Sequence, residues 1–257
     1  MTAAAHTLID LYRRLHDEFA ARVTSLSSAD LKAQSYCTDW TIAQVLSHLG
    51  SGAVIGLGVL NSVVAGDDLP GQEANVVVWD DWNAKSPQAQ AADFITADEN
   101  LVAAWEKLDD AAIDAIHIER FGMQLDGPAL VLMRISEFVL HAWDVEVTFD
   151  DDATLDAEAV PWLLGRVPMM AARIAHPDAG GLAGAQLVIA TVDPAATYEL
   201  DLGGPVTMTA VADPKAPADA QLPAEALIRL SYGRLDPDHT PAAAVLPDGL
   251  RKVFGPL

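Results

Sequence analysis

Three side chains in this sequence have the types and the spacing of a metal site. Glu137 and His141 are four residues apart in a segment with helical periodicity, so their side chains lie on one helix face. His48 lies beside the apolar face of another predicted helix. If these helices are antiparallel neighbours, two imidazoles and one carboxylate meet near one end of the core. This set is typical of catalytic zinc sites, which keep a fourth position open for water or substrate.

The same residues also have an ordinary structural interpretation. A Glu-x-x-x-His pair is common on helix surfaces, and a histidine beside an apolar face is often simply hydrogen-bonded. The neighbours of Glu137, such as Ile135 and Phe138, favour a metal, because a carboxylate buried among apolar groups needs a cation. Arg134, three residues earlier, is the competing partner. Spacing and composition therefore leave both interpretations open.

Four predicted helices supply the scaffold for these residues. Apolar residues recur at three- and four-residue steps from Leu8 to Leu26, which indicates the first helix. Thr41 and Gln44 form a capping box at the start of the second. Ser86-Pro87 and Gly127-Pro128 open the third and fourth. The polar segment 66–85 is predicted to be a long loop, and the four apolar faces together predict a four-helix bundle.

The remainder of the chain changes character. Residues 156–175 are predicted to form one more helix. Three β-type runs separated by turn residues follow, and then two short helical pieces: Gln186–Val192, Tyr198–Leu202, Val206–Val211, Pro223–Tyr232 and Pro247–Phe254. We therefore predict an α+β fold with a helical domain over residues 1–152 and a small α+β domain over 153–257.

The composition excludes several classes of protein. The net charge is 15 − 37 = −22, which disfavours binding to nucleic acids and to anionic membrane surfaces. The single cysteine, Cys37, excludes an internal disulfide framework and fits a reducing, cytoplasmic environment. No secretory signal is recognisable at the N-terminus. The apolar, glycine-containing stretch Leu46–Ala65 is interpreted as a closely packed buried helix rather than a membrane span.

Two strings resemble the motifs of a known family. They are Asp39-Trp-Thr-Ile-Ala-Gln-Val-Leu-Ser-His48-Leu and Arg134-Ile-Ser-Glu-Phe-Val-Leu-His-Ala-Trp-Asp144-Val. Both resemble, in the expected order, the mycothiol-dependent maleylpyruvate isomerase family, which belongs to the DinB-like superfamily of metal-binding four-helix bundles. The resemblance implies that His48, Glu137 and His141 bind Zn²⁺ or another divalent metal. It also implies mycothiol as the co-substrate.

Two further residues are catalytic candidates. Residues 180–257 resemble the sterol-carrier-like C-terminal domain of family members, and Leu230-Ser-Tyr-Gly-Arg234 resembles one of its elements. The resemblance implies that Arg234 holds an acidic substrate; the alternative is a surface arginine after a helix-ending glycine. Asp144 would orient a metal ligand or bind the amine of a thiol; the alternative is a satisfied helix-end carboxylate. Cys37, with no base nearby in sequence, is interpreted as an inert thiol, and Trp40 as a packing residue.

These observations lead to competing hypotheses of function. The first is a zinc-dependent enzyme that activates mycothiol for attack on a small electrophile, as a cis–trans isomerase or a thiol S-transferase. Its partners are then a small thiol and a small substrate, and the chain is a monomer or homodimer. The alternatives are a zinc hydrolase, in which metal-bound water attacks an amide, and a non-catalytic protein that binds a metal or a small ligand.

Overall fold

The computed structural model describes residues 2–120, 122–214 and 216–255. The chain divides into two compact units, Met1–Ala153 and Thr154–Leu257. The first unit consists mainly of helices, and the second contains a four-stranded sheet with short helices. The predicted α+β class with a helical N-terminal domain is therefore confirmed.

Four long helices build the first unit, and shorter elements fill the connections between them. The helices are α1 (Thr2–Thr24), α2 (Ile42–Ala65), α3 (Gln72–Asn83), α4 (Pro87–Glu106), α5 (Asp110–Asp114) and α6 (Gly127–Glu146). The hairpin of β1 (His117–Arg120) and β2 (Met123–Asp126) precedes α6. Helices α1 and α2 each pack against both α4 and α6, so the four long helices close into a ring around one core.

The predicted helix starts are largely confirmed. Thr41 caps α2 and forms the full capping box with Gln44. Ser86 caps α4, with a proline in its first turn. The N-cap of α6 is Asp126, whose side chain accepts a hydrogen bond from the backbone N–H of Ala129. The helix therefore begins at Gly127, as the Gly127-Pro128 pair predicted, but the capping residue itself was not identified from the sequence.

The prediction of a long loop over 66–85 is wrong, because that segment contains α3. Its glycines lie at the helix boundaries: Gly66 ends α2 with a positive φ of 74°, and Gly71 is the N-cap of α3. Trp82 anchors the helix by burying its ring against Gly50 of α2, where an added Cβ would lie 2.2 Å from the ring. Tertiary packing into this glycine notch therefore holds a helix that local propensity does not mark.

Helix α2 is the apolar segment whose burial the sequence predicts. By length and composition alone it would be able to cross a membrane, but 61% of its most apolar window is buried inside the structure. Gly56 also allows close approach, since a Cβ there would lie 3.1 Å from Leu101 of α4. The helix is thus the central packing element of the first unit.

A buried polar cluster crosses the bundle core. Asp98 of α4 is fully buried and accepts hydrogen bonds from Tyr12 of α1 and from Arg134 of α6. Nδ1 of His16 lies 2.8 Å from the other carboxylate oxygen of Asp98. The Arg134 guanidinium also donates to the Leu49 carbonyl of α2 at 3.0 Å. One ion pair and its partners therefore connect all four long helices.

The second unit contains a four-stranded sheet, whose strands are β3 (Gln186–Val192), β4 (Ala196–Asp201), β5 (Thr207–Ala210) and β6 (Ala220–Pro223). Their order across the sheet is β5-β4-β3-β6. Strand β3 pairs antiparallel to β4 and parallel to β6. The three predicted runs are confirmed with small shifts at their ends. The four-residue, proline-ended β6 was missed because it carries almost no alternation signal.

The helices of this unit are short. They are α7 (Val160–Leu164), α8 (Val167–Ile174), α9 (Pro177–Gly180), α10 (Ala224–Ser231) and α11 (Leu250–Val253). The single helix predicted over 156–175 is wrong, because α7 and α8 are separate. Pro168 lacks the N–H that would donate to the carbonyl four residues back in α7 and continue that helix. The two C-terminal helices are confirmed with shorter bounds.

Replacing Asp98 with Asn should destabilise the metal-free protein by about 3–5 kcal/mol, because Arg134 is left buried without its counter-charge. Burial raises the pKa of Asp98, but the charge of Arg134 and three hydrogen bonds outweigh it, so the folded-state pKa is lowered. The stabilisation is therefore complete above an unfolded-state pKa of about 4 and is lost as the pH falls through the lower folded-state value.

Urea titrations between pH 7 and pH 2 would measure this difference. The gap between wild type and Asp98→Asn should narrow only at acidic pH. Asp93→Asn is the control, because Asp93 pairs with Lys85 at an exposed position on the same helix and should change stability by less than about 0.5 kcal/mol. Equal effects of the two variants would contradict the assigned role of Asp98.

Candidate metal centre

Helices α2 and α6 bring the three sequence-predicted ligands together. Nε2 of His48 lies 3.4 Å from Oε2 of Glu137, and Nε2 of His141 lies 3.8 Å from the same oxygen. The two imidazole ring centroids are 4.6 Å apart. One nitrogen of each ring and one carboxylate oxygen thus converge, with all three atoms within 4.8 Å of one another.

The donor set fits a divalent metal such as zinc. Two imidazole nitrogens and a carboxylate form a recognised three-ligand shell, which leaves a further position for water or substrate. The side chains of His48 and Glu137 are 37% and 49% exposed, so the cluster opens towards solvent. His141 is nearly buried, which fixes one side of the cluster against the bundle core.

Glu137 is half exposed, so the expectation that it is buried is wrong, and so is the alternative in which Arg134 rather than a metal is its partner. Arg134 forms its ion pair with Asp98 instead, on the core side of α6. Partial burial raises the pKa of Glu137, but the hydrogen bond to His48 and the charges of His141, His48 and Arg134 lower it to about 2. Glu137 is therefore ionised at neutral pH and available to a cation.

Asp144 lies on the far side of His141 from the cluster. It is fully buried, and its Oδ2 accepts a hydrogen bond from Nδ1 of His141 at 2.7 Å. A carboxylate partner places the proton on Nδ1, which leaves the lone pair of Nε2 facing Glu137 and His48. Asp144 thus contacts the candidate ligand His141 rather than the position between the three candidate ligands.

Trp40 contributes an aromatic wall that the sequence interpretation assigned to packing alone. Its ring centroid lies 5.1 Å from that of His48 and 6.0 Å from that of His141, tilted by 37° and 34°. Trp40 directly precedes the N-cap Thr41, so the capping box that starts α2 also fixes where this indole enters the site. Its position directly before the N-cap of the helix that carries His48 was the sequence signal that could have placed Trp40 at the site.

The sequence comparison agrees with this geometry. The profile of the family described as "Mycothiol maleylpyruvate isomerase N-terminal domain" matches residues 12–146, which include all three converging side chains. The chain belongs to this family. No curated protein sequence matches the chain significantly.

Two solved structures are similar to this chain over more than the first unit, since each match covers 90% of the chain. One is described as the crystal structure of the mycothiol-dependent maleylpyruvate isomerase, with a TM-score of 0.64, 17% sequence identity and 90% of each chain covered. A histidine-to-alanine variant with the same description gives a TM-score of 0.63 at the same identity and coverage. These likenesses establish the fold over both units.

Arg234 belongs to the second unit. It follows α10 and is half-buried, and its guanidinium donates a hydrogen bond to the Tyr232 carbonyl at 3.0 Å. Its assignment to substrate binding remains a prediction from the family resemblance.

A second group of potential ligands in the first unit is better explained as an ion-pair network. His16, Asp17 and Glu99 place donor atoms within 4.8 Å of one another. The Arg13 guanidinium already donates to both carboxylates, and Nδ1 of His16 is held by Asp98. The positive charge that these acidic groups require is therefore present in the chain itself.

Replacing Asp144 with Asn should weaken metal binding by about 10- to 100-fold, the range for partners of metal-binding histidines. An amide can donate to Nδ1 and so favours the tautomer that carries its proton on Nε2. Competition with a chromophoric chelator would measure the dissociation constant of Zn²⁺. Glu146→Gln is the control, since Glu146 lies near the same end of α6 but pairs with Arg22. Equal affinities of wild type and Asp144→Asn would refute the role of Asp144.

Proposed function

We propose that this protein is a metal-dependent, mycothiol-using enzyme that promotes attack of the thiol on a small electrophile. The reaction is a cis–trans isomerisation like that of maleylpyruvate isomerase, or an S-transfer that retains the carbon–sulfur bond. The observation that carries this proposal is the convergence of His48, Glu137 and His141 on one solvent-open point within the matched family domain.

His48, Glu137 and His141 would hold the metal. When bound, a divalent ion such as Zn²⁺ lowers the pKa of a coordinated thiol and so supplies the nucleophilic form of sulfur. Glu137 contributes the negative charge of the site. Asp144 keeps the proton of His141 on Nδ1, and the Trp40 ring lies against the two imidazoles.

The two reactions differ only after the thiol has been added. In an isomerase, sulfur adds to a carbon of a conjugated double bond, the resulting single bond rotates, and elimination returns the thiol. In a transferase, the carbon–sulfur bond remains in the product. The donor set is the same for both reactions, so their products must be compared.

We propose that Arg234 holds a carboxylate of the substrate. A chain with a net charge of −22 repels anions on average, so an acidic substrate requires a local cation. The same charge supports a small-molecule thiol and electrophile as partners rather than nucleic acid, and we expect the enzyme in the cytoplasm as a monomer or homodimer.

The purified protein should contain about one divalent metal ion per chain, as expected for one three-ligand site. Glu137→Gln and the double variant His48→Ala/His141→Ala should lose it, because each removes essential donors. Elemental analysis after gel filtration would measure the ratio of metal to protein. His117→Ala is the control, since His117 is an exposed residue of the β1 strand. Full occupancy in the double variant would refute the assignment.

Mycothiol should stabilise the metal-loaded protein and not the metal-free protein. A ligand that binds only the folded state adds about 2.7 kcal/mol at 100 times its dissociation constant. Thermal unfolding with and without mycothiol and metal would measure this difference. Glu137→Gln should show no thiol-dependent shift.

Product analysis then separates the hypotheses. With maleylpyruvate and mycothiol, an isomerase forms fumarylpyruvate with no net consumption of thiol, whereas a transferase accumulates a thioether. A metal-loaded protein that mycothiol neither stabilises nor activates would contradict the proposal. It would favour a zinc hydrolase or a non-catalytic binding protein instead.

A further inference from the structure

The only cysteine of the chain lies behind the candidate metal centre. Sγ of Cys37 is 3.1 Å from Oδ2 of Asp144, and this same oxygen accepts the hydrogen bond from Nδ1 of His141. Cys37 and Asp144 are 107 residues apart in sequence, which explains why the thiol seemed isolated at the sequence level. The thiol, carboxylate and imidazole form a chain that ends at a metal-ligating nitrogen.

The carboxylate of Asp144 occupies an unfavourable position. It is fully buried and lies near the C-terminal end of α6, where the helix dipole disfavours a negative charge. Hydrogen-bond donors must therefore offset its desolvation and hold it in one rotamer. Cys37 donates to it from outside α6, whereas His141 is both its neighbour on the helix and the residue that it must orient.

The backbone around Cys37 is well ordered by its own hydrogen bonds. The Tyr36 N–H donates to the Asp144 carbonyl at 3.0 Å, and Oγ of Ser35 donates to the Trp40 carbonyl at 2.7 Å. The side chain of Gln34 donates to the carbonyls of Cys37 and Trp40. The segment 34–40 thus docks on Asp144 at one point and places Trp40 against the ligand imidazoles at another.

We propose that Cys37 is a positioning residue of the metal centre, acting through Asp144 on His141. This inference rests on the proposed metal-dependent function. By holding Asp144 in one rotamer, the thiol fixes the ring of His141 with Nε2 facing Glu137. The sulfur acts here as a hydrogen-bond donor and takes no part in bond formation with substrate.

The test compares variants that keep or remove the donor. Cys37→Ser retains a donor, whereas Cys37→Ala and Cys37→Val remove it; the valine also fills the space of the thiol. We expect the two donor-free variants to bind Zn²⁺ about 10-fold more weakly, at the lower end of the range for outer partners of metal-binding histidines. Cys37→Ser should bind close to wild type. Ser27→Ala is the matched control, because Ser27 lies in the same connection between α1 and α2 but its hydroxyl accepts a hydrogen bond from the backbone N–H of Asp30.

Unchanged affinity in both donor-free variants would overturn the proposal, and so would an equal loss in Ser27→Ala. A Co²⁺-loaded protein should lack a thiolate-to-cobalt charge-transfer band. Such a band, lost in Cys37→Ser, would make Cys37 a ligand in its own right and also refute the proposal.

A measurement on metal-free protein separates this inference from the proposed function. Nuclear magnetic resonance should show a slowly exchanging proton on Nδ1 of His141 in wild type and Cys37→Ser. In Cys37→Ala the exchange of this proton should be faster. A wild-type protein that binds no metal defeats the proposed function, whereas equal exchange in wild type and Cys37→Ala defeats the role of Cys37.

Discussion

The ion pair between Asp98 and Arg134 is the interaction on which the geometry of the first unit depends. Both charges are withdrawn from water at the centre of the bundle, where an unpaired charge costs several kcal/mol. The cost is offset only if α1, α4 and α6 supply their hydrogen-bonding groups together. Arg134 also donates to the carbonyl of Leu49, the residue directly after His48. The ion pair therefore fixes the position of α2 along the axis of α6. The alignment of the candidate ligands His48, Glu137 and His141 on these two helices follows from it.

The two faces of α6 have different roles because Arg134 points to the core and Glu137 to the surface. Arg134 pairs with Asp98 in the core, and Glu137, one turn later, lies beside His48 and His141 at the candidate metal site. Asp144 continues the helix on its buried side and orients His141 from behind. Helix α6 therefore carries the buried charge of Arg134, the candidate ligands Glu137 and His141, and Asp144, which orients His141. The helical period places these side chains on different sides of the helix.

The sequence was informative where the signal is local. The capping box at Thr41, the Ser86-Pro87 start and the shared face of Glu137 and His141 are all properties of neighbouring residues, and each is present in the structure. The sequence was misleading where the interacting residues are far apart along the chain. Glu137 was taken for the costly buried carboxylate, but Asp98 and Asp144 are fully buried instead, and the partners of Asp98 lie 36 to 86 residues away. The placement of Asp98 four residues after Phe94 and three before Leu101 was a usable but overlooked sign of the buried face. The contact of Cys37 with Asp144 and the Trp82–Gly50 notch have no local signal at all.

All three converging side chains belong to the first unit, and two of them share one helix. A site assembled from α2 and α6 exists only when those helices are packed, so the free energy of ion binding is also free energy of folding for that unit. The second unit contributes none of these three groups. If the proposed metal binds, its occupancy would therefore stabilise the helical unit directly, and its removal would leave that unit less stable.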